Sequence, residues 1–141
     1  MGKMHSRKAR SFVTIMIVIA LSSLLLRVAI EKIIQFNIKQ NESYAQATLK
    51  LISAALENYS RDHQGVYPSE ASGLINNSPA YIDRDYLADS PIRGYEFSCQ
   101  RLEASGYSCS AVPLNCRVSG LRAYSISTSG LFVSEDCFRK E

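Results

Sequence analysis

Four cysteines, two histidines and thirteen acidic residues are the side chains here with an obvious capacity for chemistry. Cys99, Cys109, Cys116 and Cys137 all lie in the last third of the chain. Structural zinc sites use tight C-x-x-C-like pairs, and these four have none. An even number of cysteines in a small domain that follows an apolar segment points instead to disulfides formed in an oxidising compartment. Four cysteines allow three pairings. Cys99 with Cys109 and Cys116 with Cys137 is the favoured one, because Cys99 and Cys109 fall on the two arms of an expected hairpin; the other two combinations stay open. The two histidines do not form a site. His5 lies in a basic leader and His63 near a helix end, and each reads as a surface residue. No HExxH, GxSxG or phosphate-cradling glycine loop occurs. Asp83, Asp85 and Asp89 lack the glycine and glutamate spacing of a calcium-binding loop and read as solvated loop charge. The eight tyrosines are scattered through helix, loop and strand, as packing residues are. The chemistry expected is therefore cross-linking alone, with no catalytic residue and no cofactor.

The elements that carry these residues begin with an apolar segment. Residues 11–26 contain no charge, and the ten before them hold Lys3, Arg7, Lys8 and Arg10 with no acid. The formal charge of +3 is dominated by that leader. Residues 64–141 carry seven bases against nine acids, so no basic face for nucleic acid is expected. A basic cluster beside an apolar run is a topology signal that holds the N-terminus in the cytoplasm. Three readings fit such a run. A cleaved signal would end in a small-x-small site, which Arg27–Lys32 does not supply. A plain anchor needs about 20 apolar residues, which 11–30 provide if Arg27 snorkels to the outer interface. The third is a helix that starts in the membrane and continues beyond it.

The third reading draws support from the next stretch. No proline or glycine interrupts residues 11–64. Ala45, Leu49, Ile52, Leu56 and Tyr59 recur at steps of four and three, one face of a helix, and Lys50, Glu57 and Arg61 are assigned to the opposite face. Gln64-Gly65, with Pro68 beyond, marks the end. One helix over 11–63 would run roughly 80 Å, too long for a small domain to bury. Two helices with a break near 36–43 is the alternative. The expected organisation is a basic leader (1–10), a transmembrane half-helix (11–36), an amphipathic half-helix (37–64), a connecting loop (65–93) and an antiparallel sheet with disulfides (94–141). Ser69 is expected to cap a short helix through about Ile75. Alternation over Tyr95–Cys99 and Tyr107–Ala111 predicts a hairpin with a loop at 100–106, then strands at 121–128 and around Leu131–Val133. The fold class is α+β, with three or four antiparallel strands roofed by the Leu49/Ile52/Leu56 stripe.

MIVIA at 16–20 and NESYAQATLKLISAALENYSRDHQGVYP at 41–68 resemble the N-terminal helix of type IV pilins and type II secretion pseudopilins. The turn pattern is carried by Ala55, Leu56, Tyr59, Asp62, Gly65, Tyr67 and Pro68. The resemblance covers residues 9–68 well and 69–141 loosely. It implies a structural subunit of a pilus or secretion pseudopilus in the bacterial inner membrane, single-pass, with the C-terminal domain periplasmic or in an extracellular filament. Its implied partners are other pilin or pseudopilin subunits, a prepilin peptidase and an assembly platform. In the family, a peptidase cuts after a glycine and methylates the new N-terminus, and a glutamate five residues on pairs with a neighbour's amine. Here Ala9 and Arg10 stand at the junction, or Ser11 and Phe12 if the register shifts, and Thr14 stands at the glutamate position. A minor or tip subunit, or a permanently anchored binding module that does not polymerise, is implied by that departure. The family also implies calcium near the C-terminal loop, where Glu135 and Asp136 are the candidates.

Overall fold

The structure, a computed structural model, describes the backbone of residues 5–137 and the side chains of residues 11–137. The first four residues of the leader and the last four of the chain lie outside that range, as do the side chains of residues 5–10. The chain is α+β. A long helix, α1 (His5–Asp62), precedes a short α2 (Ser72–Ile75) and four strands: β1 (Tyr95–Glu103), β2 (Gly106–Pro113), β3 (Arg122–Ser127) and β4 (Leu131–Asp136). Two units divide the chain between Phe36 and Asn37.

In the first unit, α1 has no proline or glycine, and its apolar side chains run all the way round. There is no break at 36–43; in the second unit the helix ends at Asp62, where His63, Gln64 and Gly65 turn the chain out. Gly65 takes φ +86°, the left-handed region open to a residue without a Cβ, and its amide donates to the Ser60 carbonyl at 2.8 Å.

In the second unit, Asn37–Asp62 of α1 lies on the four-stranded antiparallel sheet, ordered β1-β2-β3-β4. Successive strand residues face opposite sides, so register decides what meets the helix. Phe97 pairs with Ala111 and Ala111 with Tyr124; Cys99 pairs with Cys109, Cys109 with Ile126 and Ile126 with Phe132. These two rows form the inner face. Ala45, Leu49, Ile52 and Leu56 are 0–4% exposed against it. Leu74, Ile82 and Tyr86 of the 65–93 segment close the core beside them. Tyr95 lies under Gly120, where an added Cβ would collide with the phenol ring, and its hydroxyl donates to the Arg122 carbonyl at 2.8 Å.

Several local expectations are corrected. Residues 100–106 are not a loop: β1 runs to Glu103, Ala104-Ser105 makes the turn, and a bulge falls between Cys99 and Arg101. Gln100, Arg101 and Glu103 read as loop because β1 is an edge strand, where charge is tolerated and Arg101 pairs with Glu103 at 2.7 Å. Ser69 caps nothing; α2 starts at Ser72 behind Ala71, without a side-chain cap. Strand β3 spans Arg122–Ser127, inside the expected 121–128, and β4 extends to Asp136 after a 3-10 turn at Thr128–Gly130. Glu57 does not point away from the sheet. It is half-buried on the flank of the apolar stripe and bonded to three other segments.

Candidate functional site

Two features of α1 stand out, one an exposed apolar surface and the other a set of polar contacts with the sheet. The first is the apolar part of α1. From Phe12 to Phe36 every large apolar side chain is 41–70% exposed, with Leu25 at the upper limit. A window of this helix reaches a mean hydropathy of 2.5 with none of it buried. Soluble proteins rarely expose a contiguous apolar patch beyond a few hundred Å², so a surface of this kind marks a membrane or protein interface. Its polar side chains are partly satisfied from within. Ser22 Oγ donates to the Ile19 carbonyl at 3.0 Å and Ser23 Oγ to the Ala20 carbonyl at 2.9 Å. Hydroxyls bonded back to the helix add little polar cost in lipid. By length and composition, α1 can cross a membrane.

The second is the set of polar pins that hold the rest of α1 on the sheet. Asn41 Nδ2 donates to the Ser119 carbonyl at 3.0 Å, and Glu42 accepts from the Leu121 amide at 2.8 Å. Ser53 and the Tyr107 hydroxyl meet at 2.7 Å, and Tyr107 in turn donates to Glu57 Oε1 at 2.9 Å. Glu57 also accepts from the Ser129 amide at 2.9 Å and the Tyr67 hydroxyl at 3.1 Å. One carboxylate thus ties α1 to β2, to the β3–β4 turn and to the segment after the helix. Charge-assisted bonds of this kind are the strong ones. Burial, with the Glu57 bond adding to it, pushes the Tyr107 phenol up to about 12. Burial and then Glu57 raise Tyr67 as well.

The residues singled out from sequence fall as follows. Cys99 is bonded to Cys109 across β1 and β2, and Cys116 to Cys137, which ties the end of β4 to the β2–β3 loop. Ala45, Leu49, Ile52 and Leu56 form the helix face on the sheet, while Tyr59 is half-buried and stacks on His63 with ring centroids 3.9 Å apart. Ser11, Phe12 and Thr14 lie in α1, with Phe12 65% exposed. The side chains of Ala9 and Arg10 are outside the described residues. Asp83 accepts from the Tyr86 hydroxyl at 3.1 Å, and Asp85 accepts from the Leu87 and Ala88 amides at 3.0 Å. Asp136 faces Arg122 at 3.6 Å, both exposed. Among the described residues no group of three His, Cys, Asp or Glu is arranged to hold a metal. Sequence reading missed Asn41, Glu42, Ser53 and Glu57. Ser53 and Glu57, one helical turn apart along the edge of the stripe, were the available signal.

No family model, no curated protein and no solved structure matches the chain. The class so defined is an α+β chain whose helix α1 is long and apolar enough to cross a membrane and whose Asn37–Asp62 part lies on a disulfide-linked four-stranded antiparallel sheet.

Proposed function

We propose that this protein is a pilin-like or pseudopilin-like structural subunit, anchored in the bacterial inner membrane through the apolar part of α1. The single observation that carries this reading is the continuous exposure of residues 12–36, which the 37–141 unit does not need for its own core. Side chains so apolar require lipid or other helices as neighbours. The basic leader orients the span with its N-terminus in the cytoplasm, and the sheet unit then folds in the periplasm, where its disulfides form. The resemblance of residues 9–68 to pilin helices supports assembly with like subunits, a prepilin peptidase and an assembly platform as partners.

A second reading is favoured by one feature. Thr14 stands where those families carry a glutamate, and Ala9 and Arg10 flank the junction where they carry glycine and phenylalanine. A hydroxyl makes a weaker partner for a neighbour's amine than a carboxylate does. This favours a tip or minor subunit, or a permanently anchored module. Mass spectrometry of the native N-terminus separates the two. A methylated start at Arg10 or Phe12 supports the processed subunit; an intact Met1 start in membrane fractions supports the anchored module and removes the polymerising role.

A further inference from the structure

Two arginines share one tyrosine on the helix face of the second unit. Arg84 Nη2 donates to the Tyr44 hydroxyl oxygen at 2.9 Å, and the Arg93 guanidinium lies over the Tyr44 ring, 4.8 Å from its centroid. The Arg84 guanidinium also covers the Tyr86 ring at 4.6 Å. Tyr86 is buried and Tyr44 half-buried, so both platforms are fixed, while both guanidinium groups are exposed. Stacking takes up one face of each guanidinium, the phenol bond occupies one N–H of Arg84, and the Tyr86 hydroxyl is a further partner of Arg84, while both arginines remain exposed.

The charges are not neutralised in the usual way. Arg101 and Arg122 stand in ion pairs with Glu103 and Asp136, whereas neither Arg84 nor Arg93 has an ion pair among the described residues. The nearby acids accept hydrogen bonds and form no ion pair with either arginine: Asp83 accepts from the hydroxyl of Tyr86, the ring that Arg84 covers, and Asp85 from two backbone amides. Arg93 is also held by its backbone. It sits at φ +48° before Gly94 at φ +76°, inside a tight turn closed by mutual bonds between Ile92 and Tyr95. A side chain with a Cβ is unfavourable in that region, and asparagine or glycine is the usual occupant.

We propose that Tyr44, Arg84 and Arg93 form an anion site for a phosphate group. Two preoriented guanidinium forks match the paired oxygens of a phosphate better than they match a single acceptor. Tyr44 accepts from Arg84, so its own proton is left to donate to a third oxygen. The same chemistry is offered by free phosphate and by a phospholipid head group.

The test follows the arginine side-chain Nε–Hε NMR signals of the full chain in uncharged maltoside micelles, at constant ionic strength. One arm adds inorganic phosphate; the other dopes the micelles with phosphatidylglycerol. Arg84 and Arg93 are expected to shift together and to saturate, with Arg122 unmoved as the ion-paired control. Arg93→Gln is expected to abolish the Arg84 response while the Arg122 signal reports an intact fold. Saturation in the phosphate arm identifies a soluble ligand, and saturation in the lipid arm alone identifies a head group. If neither arm moves Arg84 and Arg93 more than Arg122, the site does not exist. If Arg93→Gln leaves the Arg84 response intact, the two arginines do not act as one site.

Discussion

The Glu57 carboxylate and the Tyr107 hydroxyl meet at 2.9 Å although 50 residues separate them in sequence. Tyr107 is 1% exposed and receives the Ser53 hydroxyl on its other side, so the three side chains form one relay between α1 and β2. Removing Glu57 leaves the Tyr107 proton without its acceptor, and removing the Tyr107 hydroxyl leaves both Ser53 and Glu57 short of a partner. Glu57→Ala is expected to destabilise the sheet unit by about 1–3 kcal/mol. Tyr107→Phe should cost a similar amount, and the double variant less than the sum, because both remove the same bond. Chemical denaturation followed by tyrosine near-UV circular dichroism measures all three. Additive losses would mean that Glu57 and Tyr107 are not coupled.

Alkaline stability follows from the same relay. The Tyr107 phenol is raised from its ordinary 10.0 to about 12 in the folded chain. A tyrosine is neutral when protonated, so a raised folded value means that the folded state holds the proton longer than the unfolded one. Its contribution is fully present below pH about 10 and is lost as the pH rises towards about 12. Burial raises Tyr95 and Tyr124 in the same direction. Stability should therefore be flat below pH about 9 and fall steeply above 10, with Tyr107→Phe showing a shallower fall. Thermal melts from pH 8 to 11.5 test this; a flat profile to pH 11.5 would contradict it.

The two disulfides close loops of different length, 10 and 21 residues of separation. Replacing either pair by serine is expected to cost about 2–4 kcal/mol, and slightly more for Cys116–Cys137, because the longer loop regains more freedom when unfolded. The pairs should also differ in where the chain loosens. Loss of Cys116–Cys137 frees the end of β4, so limited proteolysis should cut near 114–121 first, while loss of Cys99–Cys109 leaves that loop resistant. Identical cleavage patterns would contradict the assignment.

Which parts of this architecture could be read from sequence depends on how far apart the interacting residues lie. Leu49, Ile52 and Leu56 were legible because helical periodicity is a local signal. The Cys99/Cys109 hairpin was legible in outline for the same reason, since alternation spans a few residues on each arm. From sequence Glu57 reads as opposite the stripe, because a carboxylate on the flank looks the same whether it meets water or Tyr107, and the partners lie 50 and 72 residues further on. The turn at Ala104-Ser105 looks wider in sequence than in the structure because edge-strand residues such as Arg101 and Glu103 have the composition of a loop. The Arg84–Tyr44–Arg93 stack had no periodic signature, since its three residues come from α1, the connecting segment and a turn.

Core and exposed leucines of α1 should behave in opposite ways. Leu49 is fully buried, and Leu49→Ala is expected to cost about 2–5 kcal/mol in unfolding of the sheet unit. Leu24 is 60% exposed, and Leu24→Ala should change that unfolding by less than about 0.5 kcal/mol. Leu25→Arg should leave the sheet unit folded yet weaken membrane insertion by about 2.5–3.5 kcal/mol. Denaturation and membrane-fraction yield read these effects separately, and a Leu24→Ala loss comparable with that of Leu49→Ala would mean that residue 24 belongs to the core.

The claim that residues 12–36 live among lipid or other helices is tested most directly by a spin label at Leu25. All four cysteines are paired, so Leu25→Cys supplies the one free thiol for attachment. With the labelled full chain in its native membrane, relaxation by dissolved oxygen should far exceed relaxation by a water-soluble nickel chelate, or both should be low where neighbouring helices cover the site. Relaxation dominated by the nickel chelate would put Leu25 in water and contradict the account.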